Sequence, residues 1–324
     1  VRSRRQRQMC IRDRFKRHEG GPLLHVKDFP GKAQIYNPAP VQCGDETILL
    51  VSVVEHAATK GFGRDVGQPR VARSKDGINF ELSEENFIDT QALGEPWDRY
   101  HHFIDNRVTK IDDWYYIVTP VMVQGFDSPI GMLGRTKDFK SYERIETITQ
   151  PKNRGASLFP EKINGKYYKL DRPGGGDGGD GDIWISSSPD LVHWGAFKPV
   201  LAAGYRFWNV QKIGPTPPIK TEHGWLDIIH GVFTPAGGTY YYIGAMLLDL
   251  DEPWKVIGKT NSYLMMPEEP WEQHGNCDNT IFPCGAIADY EKDQIRLYYG
   301  ACDYAICLAT GSLSETVHAC LEGL

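Results

Sequence analysis

The sequence predicts an all-β chain folded as a five-bladed β-propeller. Three observations predict it: a strand-and-turn signature that recurs, a succession of apolar strands with few amphipathic helices between them, and a length that suits radial repetition. The signature is a strand running into Ser or Thr, one further residue, then Asp, with an aromatic four positions beyond that Asp. It occurs as VARSKDGINF (Asp76, Phe80), LGRTKDFKSY (Asp138, Tyr142) and ISSSPDLVHW (Asp190, Trp194). An Asp in a turn can accept from backbone N–H groups, and the aromatic is expected to pack back under its own hairpin. The strands themselves read ETILLVSVVE, DWYYIVTP and KYYKLDRP in the first half, then GWLDIIHGV, TYYYIGAMLLDL and DQIRLYYGACDYAICLAT. A loose period of about 50 to 60 residues gives about five blades over 324 residues. The rival architecture, a β-sandwich with an appendage, leaves the repeat unexplained.

Along the chain, residues 1–14 (VRSRRQRQMCIRDR) are dense in arginine and lack a hydrophobic period. They resemble translated adapter sequence and are set aside as non-native or disordered, leaving residues 15–324 as a single propeller domain. Read instead as a basic arm, they would bind nucleic acid, but charge runs are more often simply solvated. The net charge is -6 with both signs mixed, so neither nucleic acid nor an anionic membrane is an expected partner. Any anion site must therefore be local. Seven cysteines without a CxxC pair or zinc spacing argue against a disulfide framework and for reduced thiols in the cytoplasm. No apolar run reaches membrane-spanning length, and no signal-peptide pattern occurs.

The chemistry has to come from polar residues set in strand-like surroundings. Asp105 and Arg107 lie in HHFIDNRVTKIDDWYY, together with His101 and His102. A bland reading makes them a local surface ion pair of little energetic weight. Arg154 and Arg172 frame SLFPEKINGKYYKL, a hairpin expected to turn at Asn164-Gly165 and so to bring both arginines to one end. The bland reading pairs them with Glu161 or Asp171. Lys212 stands beside a Gly/Pro-rich loop, and His230 ends an apolar strand, where a lone histidine is more often structural than catalytic. Gathered from separate blades, two arginines, a lysine and a histidine would suit a doubly charged oxyanion, phosphate above all.

The run GGGDGGDGD (residues 174–182) lacks the Gly-Lys-Ser/Thr ending of a phosphate loop and the terminal Glu of a calcium loop, so it is expected to be a rim loop. Trp97, Trp114, Trp208 and Trp271 could stack on sugar faces, although Trp114, beside Tyr115 and Tyr116, is expected in the core. No GxSxG, HExxH or dinucleotide fingerprint occurs.

These stretches, with SPDLVHWG, KIGPTPPIKTEHGWLDIIHGV, GAMLLDLDEPWKVI, PEEPWEQHGNCDNTIFPCG and LYYGACDYAICLA, resemble glycoside hydrolase family 130 over roughly residues 37–308. The resemblance implies a β-mannoside phosphorylase on a five-bladed propeller. Such an enzyme inverts the anomeric centre to release α-mannose 1-phosphate, with inorganic phosphate as co-substrate and no cofactor or metal. It implies Asp105 as the general acid, acting through the 3-hydroxyl of the sugar. Arg154, Arg172, Lys212 and His230, with Asn153, fall on the phosphate-holding positions, and Asn37 and Asp303 on sugar-binding ones. Arg107 joins these, and Arg64 (or Arg73) stands in for a family arginine missing from the second strand. The sequence departs from the family pattern at Ile104 and Asn106, which replace Glu and Pro beside the acid. The alternative functions are an inverting β-mannosidase, which would hydrolyse the same bond with water, and a non-catalytic glycan-binding propeller. Linkage, acceptor sugar and any homo-oligomer are left open.

Overall fold

The computed structural model describes residues 14–55, 66–89, 94, 100–123, 125, 128–174, 181–204 and 211–323. Five antiparallel sheets follow one another along the chain as five blades in a ring. Blade 1 runs Lys32–Cys43, Glu46–Glu55, Val66–Ser74, Glu81–Leu82. In blade 2, Tyr100–His101 and Arg107–Ile111 both pair with Trp114–Val123, followed by Ile130–Thr136 and Glu143–Thr147. Blade 3 is Ser157–Leu158, Tyr167–Asp171, Ile183–Ser188, Gly195–Leu201. Blade 4 sets Lys212–Gly214 and Ile219–Lys220 against Trp225–Phe233, then adds Tyr240–Leu248 and Val256–Lys259. Blade 5 sets Ile281–Pro283 and Ile287–Asp289 against Gln294–Ala301, which pairs with Ala305–Ser312.

The outer edge of blade 5 comes from the other end of the chain. Phe15–Arg17 and Leu24–His25 both pair antiparallel with Ala305–Ser312, which ties the last blade to the first.

There is no single core. Apolar side chains fill five wedges, one between each pair of neighbouring blades, and each wedge draws on both. This explains why ETILLVSVVE is apolar almost throughout instead of alternating: blades cover both faces of the strand, and its eight inner residues are buried.

The recurring turn does what its spacing demands. Asp76 accepts from the N–H groups of Ile78 and Asn79, Asp138 from those of Lys140 and Ser141, and Asp190 from those of Val192 and His193, all within 3.1 Å. The aromatic packs back on its own hairpin, Tyr142 lying over Gly134 and Trp194 Nε1 donating to the Leu191 carbonyl, and it also reaches a neighbouring blade. Phe80 of blade 1 meets Tyr298 of blade 5 edge-to-face at 5.8 Å, and Trp194 of blade 3 packs into the wedge shared with blade 2. The second contact follows because the inter-blade wedge is where the other face of the aromatic leaves water. Trp114 departs from expectation: it is half-buried at the surface, with Arg135 4.0 Å and Lys137 4.6 Å from its ring. The strand alternation buries Tyr115 and turns Trp114 outward. Among the described residues no helix is long and apolar enough to cross a membrane.

Candidate active site

Asn37, Asp105 and Asp303 share an unusual backbone. Their φ angles are 47°, 55° and 59°, in the left-handed region that costs most residues about 1–3 kcal/mol. Asn and Asp tolerate it best, and such positions gather at functional sites. Asn37 lies where the first strand of blade 1 slips register between Tyr36 and Ala39, Asp105 just before Arg107–Ile111, and Asp303 in the turn before Ala305–Ser312. Gly300 allows blades 5 and 1 to meet there: a Cβ at Gly300 would lie 2.4 Å from Asn37 Oδ1.

Asp105 is 4% exposed and fully engaged. Its Oδ1 accepts from Asn37 Nδ2 at 2.6 Å and its Oδ2 from Arg154 Nε at 2.9 Å, while its own N–H donates to Ser52 Oγ. Burial alone would raise its pKa. The charges of Arg154 and Arg107, the Asn37 hydrogen bond and the charge of Arg172 outweigh that, and hold the carboxyl below its ordinary value. It is ionised.

The hairpin of blade 3 brings Arg154 and Arg172 together. Asn164 (φ 51°) and Gly165 (φ 79°) make the two-residue turn, closed by Ile163 and Lys166, while Asn153 bridges Pro173 at the open end. Neither carboxylate suspected of neutralising these arginines does so. Asp171 is taken by Lys169 and Ser186, and Glu161 by Lys220. Arg172 Nη1 lies instead 3.2 Å from His230 Nε2. Burial and repulsion from Arg154 and Arg107 push Arg172 down to about 10. Lys212 is pushed down to about 8 by burial, Arg172 and Arg154. His230 lies well below its ordinary value, because it is buried and faces Arg172, Arg107 and Lys212. It is therefore neutral and can accept from Arg172.

Three sequence-derived candidates sit among protein partners. Asn153 braces the two arginine segments: its Nδ2 donates to Asp171, and its Oδ1 accepts from the N–H groups of Gly155 and Arg172. Arg107 is 2% exposed and not the surface pair of the bland reading. It donates to the carbonyls of Asp105 and Pro215 and to Cys284 Sγ, so it ties the acid's backbone to blades 4 and 5. Asp303 is pushed up to about 6 by burial and the charge of Asp105, with Arg154 and Asn276 opposing. Trp271 packs on the wedge between blades 4 and 5. Arg64, Trp97, Trp208 and residues 175–180 of the glycine-rich run lie outside the described residues.

Two residues escaped sequence reasoning. Tyr36 is kept neutral by burial and by the charges of Asp105 and Asp303. Tyr241 has Lys212 Nζ 5.2 Å from its ring and stacks with His230 at 6.1 Å. The signal available was the Tyr240–Tyr242 run, whose middle member must face away from its neighbours. The four basic residues come from two blades, not from separate ones: blade 3 sets Arg154 and Arg172, and blade 4 Lys212 and the neutral His230, beside the ionised Asp105 of blade 2. That arrangement can seat a doubly charged oxyanion beside the carboxyl of Asp105.

A family profile described as beta-1,4-mannooligosaccharide phosphorylase matches residues 2–322. The chain is 33% identical over 312 residues to the beta-1,4-mannooligosaccharide phosphorylase of Ruminococcus albus, covering 94% of this chain and 90% of that one. It is 37% identical over 255 residues to a beta-1,2-mannobiose phosphorylase of Listeria innocua, covering 77% and 67%. The solved structure of beta-1,2-mannobiose phosphorylase from Listeria innocua, complexed with beta-1,2-mannobiose, superposes with a TM-score of 0.82 at 29% identity, over 94% of this chain and 99% of that one.

Proposed function

The chain belongs to glycoside hydrolase family 130, and from that premise we propose how its residues divide the work of a β-mannoside phosphorylase. The reaction is phosphorolysis of a β-mannoside: inorganic phosphate displaces the leaving sugar with inversion and departs as α-D-mannose 1-phosphate. A phosphorolytic displacement needs one acid and a bound nucleophile, whereas an inverting hydrolase needs a second carboxylate as base for water.

Asp105 is the acid in this reading, passing its proton through the sugar's 3-hydroxyl to the leaving oxygen. Arg154, Arg172, Lys212 and His230 hold phosphate, cancelling enough charge to bring it to the anomeric carbon and fixing its line of attack. Asn37 and Asp303 take sugar hydroxyls. Arg107 and Asn153 keep the acid and the arginines in place. The observation that carries the reading is that Arg172, His230 and Lys212 converge while Asp171 and Glu161 are spent on other lysines. Six free cysteines among the described residues fit a reducing compartment such as the cytoplasm.

The relatives act, by their names, on β-1,4 and β-1,2 bonds at similar identity to this chain, so linkage falls to experiment. Incubating α-mannose 1-phosphate with glucose, mannose and N-acetylglucosamine should yield one mannosyl disaccharide and free phosphate, and its structure names the bond. Cleavage of that disaccharide in water at the same rate without phosphate would overturn the assignment in favour of a β-mannosidase.

A further inference from the structure

Paired with Arg154, Asp105 is in the wrong charge state for a general acid. The proton for the leaving oxygen must be on Asp105 before the bond breaks, yet Arg154 Nε sits 2.9 Å from Asp105 Oδ2 and keeps it ionised. The same Arg154 belongs to the phosphate cluster. We propose that phosphate and Asp105 compete for Arg154: as the dianion seats on Arg154 and Arg172, the carboxylate is released from its ion pair and takes up one proton from solvent. The acid is then armed only when the nucleophile is in place. The inference rests on the phosphorylase reading above.

The groups facing Asp105 decide the direction. Blade 3 contributes Arg154 and Arg172, blade 2 Arg107 and blade 4 Lys212, all of which favour the ionised carboxyl. Against it stand burial and the Asp303 carboxyl of blade 5. Tyr36, Tyr241 and Cys284 are pushed up mainly by burial and stay neutral. Two negative charges on the blade 3 arginines cancel the strongest attraction that keeps the carboxyl ionised, that of Arg154, and add repulsion of their own. What remains is a desolvated carboxyl beside a dianion, a setting that favours the protonated form.

The balance is simple: the carboxylate gains a proton from a buffer acid, and no other bond changes. In the displacement that proton leaves for the glycosidic oxygen as the C–O bond breaks and the bond from phosphate oxygen to the anomeric carbon forms, so Asp105 ends as carboxylate again. Water entering an anion-free site meets Asp105 as a carboxylate, which cannot protonate the leaving oxygen.

Sulfate supplies the test, since it is a dianion of phosphate's shape that carries no proton near neutrality. Titrating sulfate calorimetrically near pH 7 in buffers of differing ionisation enthalpy counts the protons taken up. Wild type should take up about one proton more than Asp105→Asn, and the variant should bind sulfate roughly tenfold tighter for want of a competing carboxylate. Equal uptake by both proteins assigns the proton to Asp303, Lys212 or His230 and overturns the proposal while leaving the phosphate cluster standing. Infrared difference spectra of the wild type alone should show a carboxylate band replaced by a protonated carboxyl band when sulfate binds. A spectrum without that change also overturns it. If neither sulfate nor phosphate binds to either protein, the phosphate reading of the cluster falls as well.

Discussion

Arg172 carries its charge under burial and the repulsion of two neighbouring arginines, and its near partner is a neutral histidine instead of a carboxylate. Its charge is held at a cost to the fold, which a bound anion would offset. Arg172→Ala should lower kcat/KM for phosphate by about 10²–10³-fold, the usual loss for one preorganised donor, while leaving Tm unchanged or higher. Initial rates against phosphate and a thermal melt check both halves; a lower Tm with unchanged phosphate dependence would make Arg172 structural. Lys212 obeys the same logic with a visible pH window. Its folded pKa, about 8, lies below the ordinary 10.5, so the penalty on its charged form is complete below pH 8 and fades as pH rises towards 10.5. Lys212→Met should therefore melt higher than wild type at pH 7, and the gap should close between about pH 8 and 10. At this scale Asp105, Arg154, Arg172, Lys212 and His230 could be picked out as polar residues beside strands, with their roles supplied by the family resemblance. What was not legible is the pairing of Arg154 with Asp105, since residues 49 apart meet only through two blades.

The strand pairing of blade 4 controls His230 more tightly than its own side chain does. Gly214 pairs with His230, and a Cβ at Gly214 would lie 2.1 Å from His230 Cε1, with the ring already backed by Phe282 at 4.4 Å. Gly214→Ala must therefore push the ring or part the strands. We expect a loss of about 1–3 kcal/mol in urea unfolding, typical of overpacking, together with weaker phosphate binding by calorimetry as His230 leaves Arg172. A variant with full stability and unchanged phosphate affinity would show that the ring has free space the packing does not reveal. The turn signatures were readable at this level because an Asx turn is a local event, set by Asp and the next few N–H groups. The added contact of Phe80 with Tyr298 in the neighbouring blade was not, because its partner is remote in sequence. Trp114 was misjudged for another reason: composition marks a tryptophan as core, but strand alternation turned this one outward.

Ring closure belongs to the molecule as a whole, and one buried ion pair holds the closing strand. Phe15–Arg17 has three residues, too few to show alternation, so its place as the outer edge of blade 5 comes from its partner alone. Arg17 grips Glu272, which is completely buried, through Nε at 2.8 Å and Nη2 at 2.9 Å. Tyr299 and the N–H groups of Glu268 and Glu269 complete the carboxylate's shell. Burial would raise the pKa of Glu272, but these hydrogen bonds, led by that of Arg17, outweigh it and hold it below the ordinary 4.5. A carboxyl with a depressed folded pKa stabilises the protein above its unfolded pKa and loses that contribution as pH falls through the folded one. Removing Arg17 reverses the sign, since burial then dominates and protonation relieves the stranded charge. Arg17→Ala should cost about 3–5 kcal/mol at pH 7, and adding Glu272→Gln should recover more than half of it. The Tm gap between wild type and Arg17→Ala should narrow as pH falls from about 7 towards 4, followed by calorimetric melts in matched buffers. A gap that stays constant over that range would mean the strand is held by the packing of Phe15 in the wedge between blades 4 and 5, with the ion pair an accessory.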